Sequence, residues 1–214
     1  MKNPDLILFS KQPVAGQVKS RLHGVYGPQR AAEIAAFCIH RTVELATASW
    51  PGDVYLYGWP DAGHELYAGL AAAFPIHLGR QSGGDLGEKM SRALEQGIAR
   101  AGAAAVMGCD VPHCPGAALR QAYDALASGK NVIGPTQDGG YYFIGLQRVL
   151  VELFTDIPWG GPAVLARTLA RAAEQAMEFV RLPELRDLDR PEDLRAVAAG
   201  YPPLEQFLQA EPSR

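Results

Sequence analysis

The chain has 214 residues, 48% of them hydrophobic and 20% charged, and this sets an expectation of one soluble globular domain over 1–214. A net charge of −3 with no basic block argues against nucleic acid as a partner, while leaving room for a local basic site that takes a phosphate. No run reaches the ~18 apolar residues of a membrane span. The stretch before Lys11 is too short for a signal peptide's apolar core, and three cysteines (Cys38, Cys109, Cys114) form no disulfide framework. The expectation is a cytoplasmic protein with no membrane partner.

In chain order, Leu6-Ile-Leu-Phe9 reads as a buried first strand. The following loop holds Pro13 and Gly16 and the cations Lys11, Lys19 and Arg21. Backbone N–H groups and cationic side chains can converge there on a polyphosphate. The loop is not a P-loop, because two residues separate Gly16 from Lys19. A solvated basic loop is the plainer reading. Residues 28 to 50 predict a helix with Pro28 in its first turn and Cys38 on its core stripe. Val54–Tyr57 predicts a strand, His64–Ala73 a short helix and Pro75–Leu78 a short strand.

Gln81-Ser-Gly-Gly-Asp-Leu-Gly87 predicts a glycine-rich loop opening a helix over Leu86–Ala101. Gln81 carries both a donor and an acceptor, as reading a base edge requires. Glycines let a flat base approach the backbone. A helix-entry loop explains the same residues.

Ala103 to Pro112 is the central stretch: an apolar run that ends abruptly in Gly108, Asp110 and Pro112. In open α/β sheets, ligands bind outside the carboxyl ends of strands. Asp110 there either meets a ligand or metal or caps the next helix, read over Pro115–Ser128. Cys109, His113 and Cys114 lack the spacing of a structural zinc site.

Val132-Ile-Gly-Pro-Thr-Gln-Asp-Gly-Gly-Tyr-Tyr-Phe-Ile-Gly-Leu146 reads as two strands around Asp138-Gly139-Gly140. Asp-Gly is a hairpin signal, and the same turn offers an acid and bare backbone to a polar substrate. Trp159-Gly-Gly-Pro162 breaks the chain, Ala163–Gln175 predicts a helix, and Glu178–Leu182 a strand. Asp189, before Pro191-Glu-Asp-Leu194, is either that helix's N-cap or a second carboxylate for a metal near Asp110. The tail from Tyr201 carries only a short apolar pattern at Leu204, Phe207 and Leu208.

Taken together these stretches, from Leu6 to Leu194, resemble the nucleotide-diphospho-sugar transferase superfamily, and within it a small bacterial branch of provisional glycosyltransferases, some associated with arsenosugar or selenium gene sets. The branch's loop pattern stands here as Lys11, Pro13, Gly16, Lys19, Ser20, Arg21 and Leu22. Its other segments match Gln81 with Gly84–Gly87; Gly108, Asp110 and Pro112; Gly134, Pro135, Asp138–Tyr142 and Ile144–Leu146; and Asp187, Asp189 and Pro191–Leu194. The chain departs from the branch at Arg190, for threonine; at Gly160-Gly161, for Ser-Thr; and at His113-Cys-Pro, where Leu-Thr is common.

The resemblance implies an α/β fold, a single-domain GT-A (Rossmann-like) three-layer α/β/α sandwich with a mixed, mostly parallel central sheet. It also implies Mg2+ or Mn2+ held by Asp110 and Asp189 against the phosphates of a nucleoside triphosphate or nucleotide sugar. Gln81 and Gly87 would lie near the base, and Lys19 and Arg21 at phosphates. Asp138, Gly139 and Gly140 would line the pocket of a small-molecule acceptor, with Trp159 beside it. Lys19, Asp110 and Asp138 are the expected catalytic residues, and Lys11 and Gly16 complete the nucleotide loop.

Three cations in one loop favour nucleotidyl transfer from a triphosphate to a small phosphorylated acceptor. The guanylyltransferases of deazaflavin cofactor synthesis and the molybdenum cofactor nucleotidyltransferases are similar in this loop. The alternative is glycosyl transfer from a nucleotide sugar, with Asp138 as general base. A non-catalytic nucleotide-binding module is the remote alternative.

Overall fold

The strand-length apolar runs have both faces covered. In a computed structural model, which describes residues 3–210, β1 (Asp5–Lys11) sends Leu6 and Leu8 into one apolar cluster and Ile7 and Phe9 into another. β4 (Ala104–Gly108) does the same with Ala105 and Met107 against Ala104 and Val106. Successive side chains of a strand point to opposite faces, so a strand covered on both sides is apolar throughout. Residues 1–2 and 211–214, the two ends of the expected domain range, lie outside the described residues.

The other strands are β2 (Val54–Trp59), β3 (Ile76–Arg80), β5 (Asn131–Pro135), β6 (Tyr141–Leu146) and β7 (Phe179–Arg181). They form one sheet in the order β3-β2-β1-β4-β6-β5-β7. β6 runs antiparallel to both neighbours, β4 and β5, and every other pairing is parallel. The expected hairpin is therefore present, with Asp138-Gly139-Gly140 in its turn.

The helices are α1 (His23–Ser49), α2 (Glu65–Ala73), α3 (Leu86–Ala101), α4 (Gly116–Ala127), α5 (Val164–Glu174), α6 (Pro191–Ala198) and α7 (Pro202–Gln209). α1, α2 and α4 cover one face of the sheet, and α3 and α5 the other. This is the three-layer α/β architecture with a mixed sheet that the sequence implies.

Local signals fix the ends of α3. The Asp85 side chain accepts from the Glu88 N–H at 2.8 Å, and Gly102, at φ 85°, closes the helix in the left-handed conformation. α1 carries a break at Gly27 (φ 75°, ψ 163°), and its regular course starts at Pro28, as its first-turn position predicts.

α7 was not predicted. It joins α6 against the outer side of α1, where Leu188, Leu194 and Leu204 meet Leu22, Ile34 and Cys38. Arg30 on α1 donates to the carbonyls of Phe207 and Ala210 at 2.6 and 2.9 Å, and Phe37 stacks on Phe207.

α3 lies close on the sheet at Gly97, where a Cβ would sit 2.5 Å from the Ala104 Cβ and 3.2 Å from the Ile7 Cδ1. Gly97→Val is expected to cost about 1–3 kcal/mol through overpacking, measured by urea denaturation. Gly97→Ala is expected to cost less, because helix propensity returns up to ~1 kcal/mol.

Candidate functional site

β1 and β4 are parallel neighbours, so their carboxyl ends open side by side. The 11–22 loop leaves the first and Asp110 follows the second. A third segment joins them from far along the chain. After β7, Leu185 pairs with Thr136 and exchanges backbone hydrogen bonds with Pro135 and Gln137. The Leu188 N–H then donates to the Asp110 carbonyl at 2.9 Å, while its side chain is buried in the α1–α6–α7 cluster. That anchor delivers Asp189 to Asp110.

Lys19 completes the group. Its Nζ donates to the Asp110 Oδ1 and, at 3.1 Å, to the Asp189 Oδ1. The lysine side chain is 5% exposed, the two carboxylates 51% and 38%. Lys19 stands in the left-handed region (φ 49°, ψ 42°), an uncommon place for a residue with a side chain. Buried Val18 and Leu22 hold the chain on either side. Burial acts to lower the Lys19 pKa, but the Asp110 carboxylate, aided by Asp189, outweighs it, and the net shift is upward. Arg21 lies 3.6 Å from the Asp189 Oδ2 and is 54% exposed. A cavity of about 270 Å³ opens here, with Ser10, Lys11, Gln17, Lys19, Asp110 and Asp189 on its wall.

The loop is ordered by its own groups. The Lys11 ammonium donates to the Gln17 carbonyl at 2.7 Å, so this cation closes the loop as well as facing the cavity. Gly16 (φ 79°) makes the turn that Gln17 continues by bonding the Val14 carbonyl. Asp189 is not a helix cap: Arg190 takes the N-cap position of α6, and the Asp193 carboxylate accepts from the Arg190 N–H at 2.8 Å.

Asp187 went unselected in the sequence, although Asp187-Leu-Asp189 spells a carboxylate pair. Its carboxyl is pushed up to about 8, first by burial and then by the negative charges of Asp110, Asp138 and Asp189. Cys38 also escaped as a site neighbour. Its thiol is pushed up to about 12 by burial, against the pull of Lys19, so it stays protonated. Cys109 and Cys114 are buried too, and all three cysteines are free thiols.

Other expected site residues stand elsewhere or are already engaged. Gln81 is buried, and its amide donates to the carbonyls of Ser10 and Tyr57 at 2.8 and 2.9 Å. Both donor hydrogens are committed to tying β1 to β2, which leaves no donor for a base edge. Gly87 is buried beneath Trp159. A Cβ there would lie 2.5 Å from the Phe154 carbonyl and 2.6 Å from the indole. The Trp159 N–H is buried with no partner among the described residues, and its ring meets Tyr141 edge to face. The expected base-site glycine and acceptor-site tryptophan are thus one packing contact. Asp138 is exposed, and its Oδ1 accepts from the Thr136 hydroxyl (2.6 Å) and the Gly140 N–H (3.1 Å). Gly139 (φ 89°) packs against the Pro162 backbone, where a side chain would collide, and its carbonyl accepts from the Leu165 N–H.

Among the described residues no group of three or more His, Cys, Asp or Glu is arranged to hold a metal ion. The chemistry of Asp110 and Asp189 nevertheless fits Mg2+ or Mn2+. Two hard oxygens converge on one point, and magnesium is usually bound by one or two carboxylates plus substrate phosphates. No helix among the described residues is long and apolar enough to cross a membrane.

The mixed seven-stranded α/β fold is the one found in nucleotide-diphospho-sugar transferase-like proteins, and nucleotidyltransferases share it. The chain belongs to the family described as "Uncharacterized protein conserved in bacteria (DUF2064)", whose model matches residues 42–161. It is similar to a protein from Desulfovibrio desulfuricans G20 provisionally described as a nucleotide-diphospho-sugar transferase. The TM-score is 0.81 at 28% identity, over 92% of this chain and 87% of that one. Two further crystal structures share the fold at lower identity. Rv0371c from Mycobacterium tuberculosis H37Rv, in complex with manganese, has a TM-score of 0.56 at 15% identity over 94% and 100% of the two chains. CMP:2-keto-3-deoxy-manno-octonic acid synthetase, in complex with CTP, has 0.54 at 11% over 92% and 97%. No curated protein matches the sequence.

The Asp187 shift carries a sign. A carboxyl with a raised folded pKa binds more protons folded than unfolded, so between its unfolded pKa near 4 and about 8 stability falls as pH rises. In metal-free protein, Asp187→Asn is expected to raise Tm at pH 8.5 by about 3–6 °C, corresponding to ~1.5 kcal/mol. The gain should shrink towards pH 5, as differential scanning calorimetry would show.

Proposed function

We propose that this chain is a nucleotide-dependent transferase acting as one domain, which moves a nucleotidyl group from a nucleoside triphosphate to a small phosphorylated acceptor. The observation that carries the reading is the Lys19 ammonium held against Asp110 and Asp189 at the mouth of a basic glycine loop. Its support is chemical: three cations on one loop suit a triphosphate, which presents more charge than a sugar diphosphate.

In the proposed reaction an oxygen of the acceptor phosphate attacks the α-phosphorus of the triphosphate. The bond from that phosphorus to the bridging oxygen breaks, and pyrophosphate leaves with the electron pair. Lys19 and Arg21 hold the leaving group's oxygens, with Lys11 and the Gly16 turn shaping the loop around them. Asp110 and Asp189 would hold a divalent ion, whose chemistry is to neutralise charge on the phosphates. Most of the rate then comes from positioning and from preorganised charge. With Gln81 committed to the main chain, only its carbonyl and the nearby backbone can face the base.

A second reading, glycosyl transfer from a nucleotide sugar, is favoured by the description of the Desulfovibrio protein. In that reading Asp138 takes the acceptor hydroxyl's proton on Oδ2, the oxygen left free by Thr136 and Gly140.

Asp110→Asn is expected to abolish pyrophosphate release in turnover while keeping the cooperative unfolding transition; turnover at the parent rate would remove Asp110 from the chemistry. Lys19→Ala should weaken triphosphate binding in calorimetry by about tenfold or more, the scale of losing a charged hydrogen bond. Binding of the bare nucleoside should hardly change. Equal losses for both ligands would take Lys19 off the phosphates.

A further inference from the structure

The Lys19 ammonium sits on one oxygen of each of the two carboxylates that would hold a divalent ion. A metal ion takes carboxylate oxygens at about 2.0–2.1 Å, so it cannot share those two oxygens with an ammonium that already donates to them. The two cations also repel each other. Arg21 is no substitute, since it reaches only the far oxygen of Asp189, at 3.6 Å, from an exposed position.

The backbone at Lys19 is clamped between buried Val18 and Leu22, and the Leu22 N–H donates to the Lys19 carbonyl at 2.8 Å. What remains free to move is the side chain, a four-carbon stem with a compact charge at its end. A phosphate in the adjoining cavity would give that charge another partner.

We propose that Lys19 is the resident cation of this site: it holds the two carboxylates read as the metal pair and competes with bare metal for them until a polyphosphate draws it away. Metal therefore binds more tightly with nucleotide than alone. Bare-metal affinity is reduced by the small fraction of molecules in which Lys19 has left the carboxylates. The coupling is reciprocal, so metal also raises affinity for the polyphosphate. The proposal rests on the reading of Asp110 and Asp189 as the metal-holding pair.

The test is a Mn2+ titration of the full chain without nucleotide, following free Mn2+ by electron paramagnetic resonance. Lys19→Met and Lys19→Gln are expected to bind Mn2+ about tenfold more tightly than the parent, as when a competitor leaves the site free about one-tenth of the time. Adding Asp110→Asn to Lys19→Met should erase the gain. Unchanged or weaker Mn2+ binding in both single variants would overturn the proposal.

A measurement on the parent protein covers the case in which neither variant folds. The Lys19 ammonium, buried and doubly bonded, should give a nitrogen-detected resonance that moves on saturation with Mg2+. A resonance unmoved at saturating Mg2+ would also overturn it. Neither experiment contains nucleotide, so the outcomes separate. Failure of the parent to bind any nucleoside triphosphate would sink the transferase reading and leave the metal result standing. Triphosphate binding without the Mn2+ gain would sink only this inference.

Discussion

Two carboxylates drawn onto one lysine hold this site together, and the three residues come from distant parts of the chain. Asp110 follows the central strand, Asp189 follows the last one, and Lys19 belongs to the first loop. Two carboxylates held on one ammonium repel each other, although solvent screens part of the repulsion because both are more than a third exposed. The ammonium offsets that repulsion. The main-chain bond from Leu188 to the Asp110 carbonyl keeps the segment in place without depending on charge. The neighbouring Asp187 carboxyl is pushed up to about 8, first by burial and then by the charges of Asp110, Asp138 and Asp189, against the pull of Lys19.

The sheet explains why the cleft is where it is. β1 and β4 are central, parallel and adjacent, so their carboxyl ends face the same solvent. Beyond β4 the direction reverses at β6, and the β5–β6 hairpin turn brings Asp138 near enough for its charge to act on Asp187. Cations of the first loop and carboxylates from two later segments thus line one space.

The fold was legible because its signals are local. Apolar runs broken by glycine and proline marked the strands, and a glycine-rich loop marked the start of α3, read from about Leu86 to Ala101. α7 escaped because its partner is α1, some 170 residues earlier, and a short amphipathic pattern does not reveal a distant surface. The Lys19, Asp110 and Asp189 group was legible as residue types at strand ends, though its geometry was not: Asp189 looked equally like a cap, a position that Arg190 takes. The engagement of the Gln81 amide was not legible because its partners are main-chain carbonyls, which carry no sequence signature. Gly87 and Trp159 were assigned to different ligands because nothing in their separate motifs shows that one lies under the other.

The proposed reaction requires that this cleft take a nucleoside triphosphate. The most direct test is thermal unfolding in the presence of Mg2+ with each nucleoside triphosphate and its nucleotide-sugar counterparts, because a ligand that binds only the native state raises Tm. The account predicts a large rise with one triphosphate and a smaller one with the sugar nucleotides. A rise confined to a sugar nucleotide would contradict nucleotidyl transfer and favour the glycosyl reading in its place.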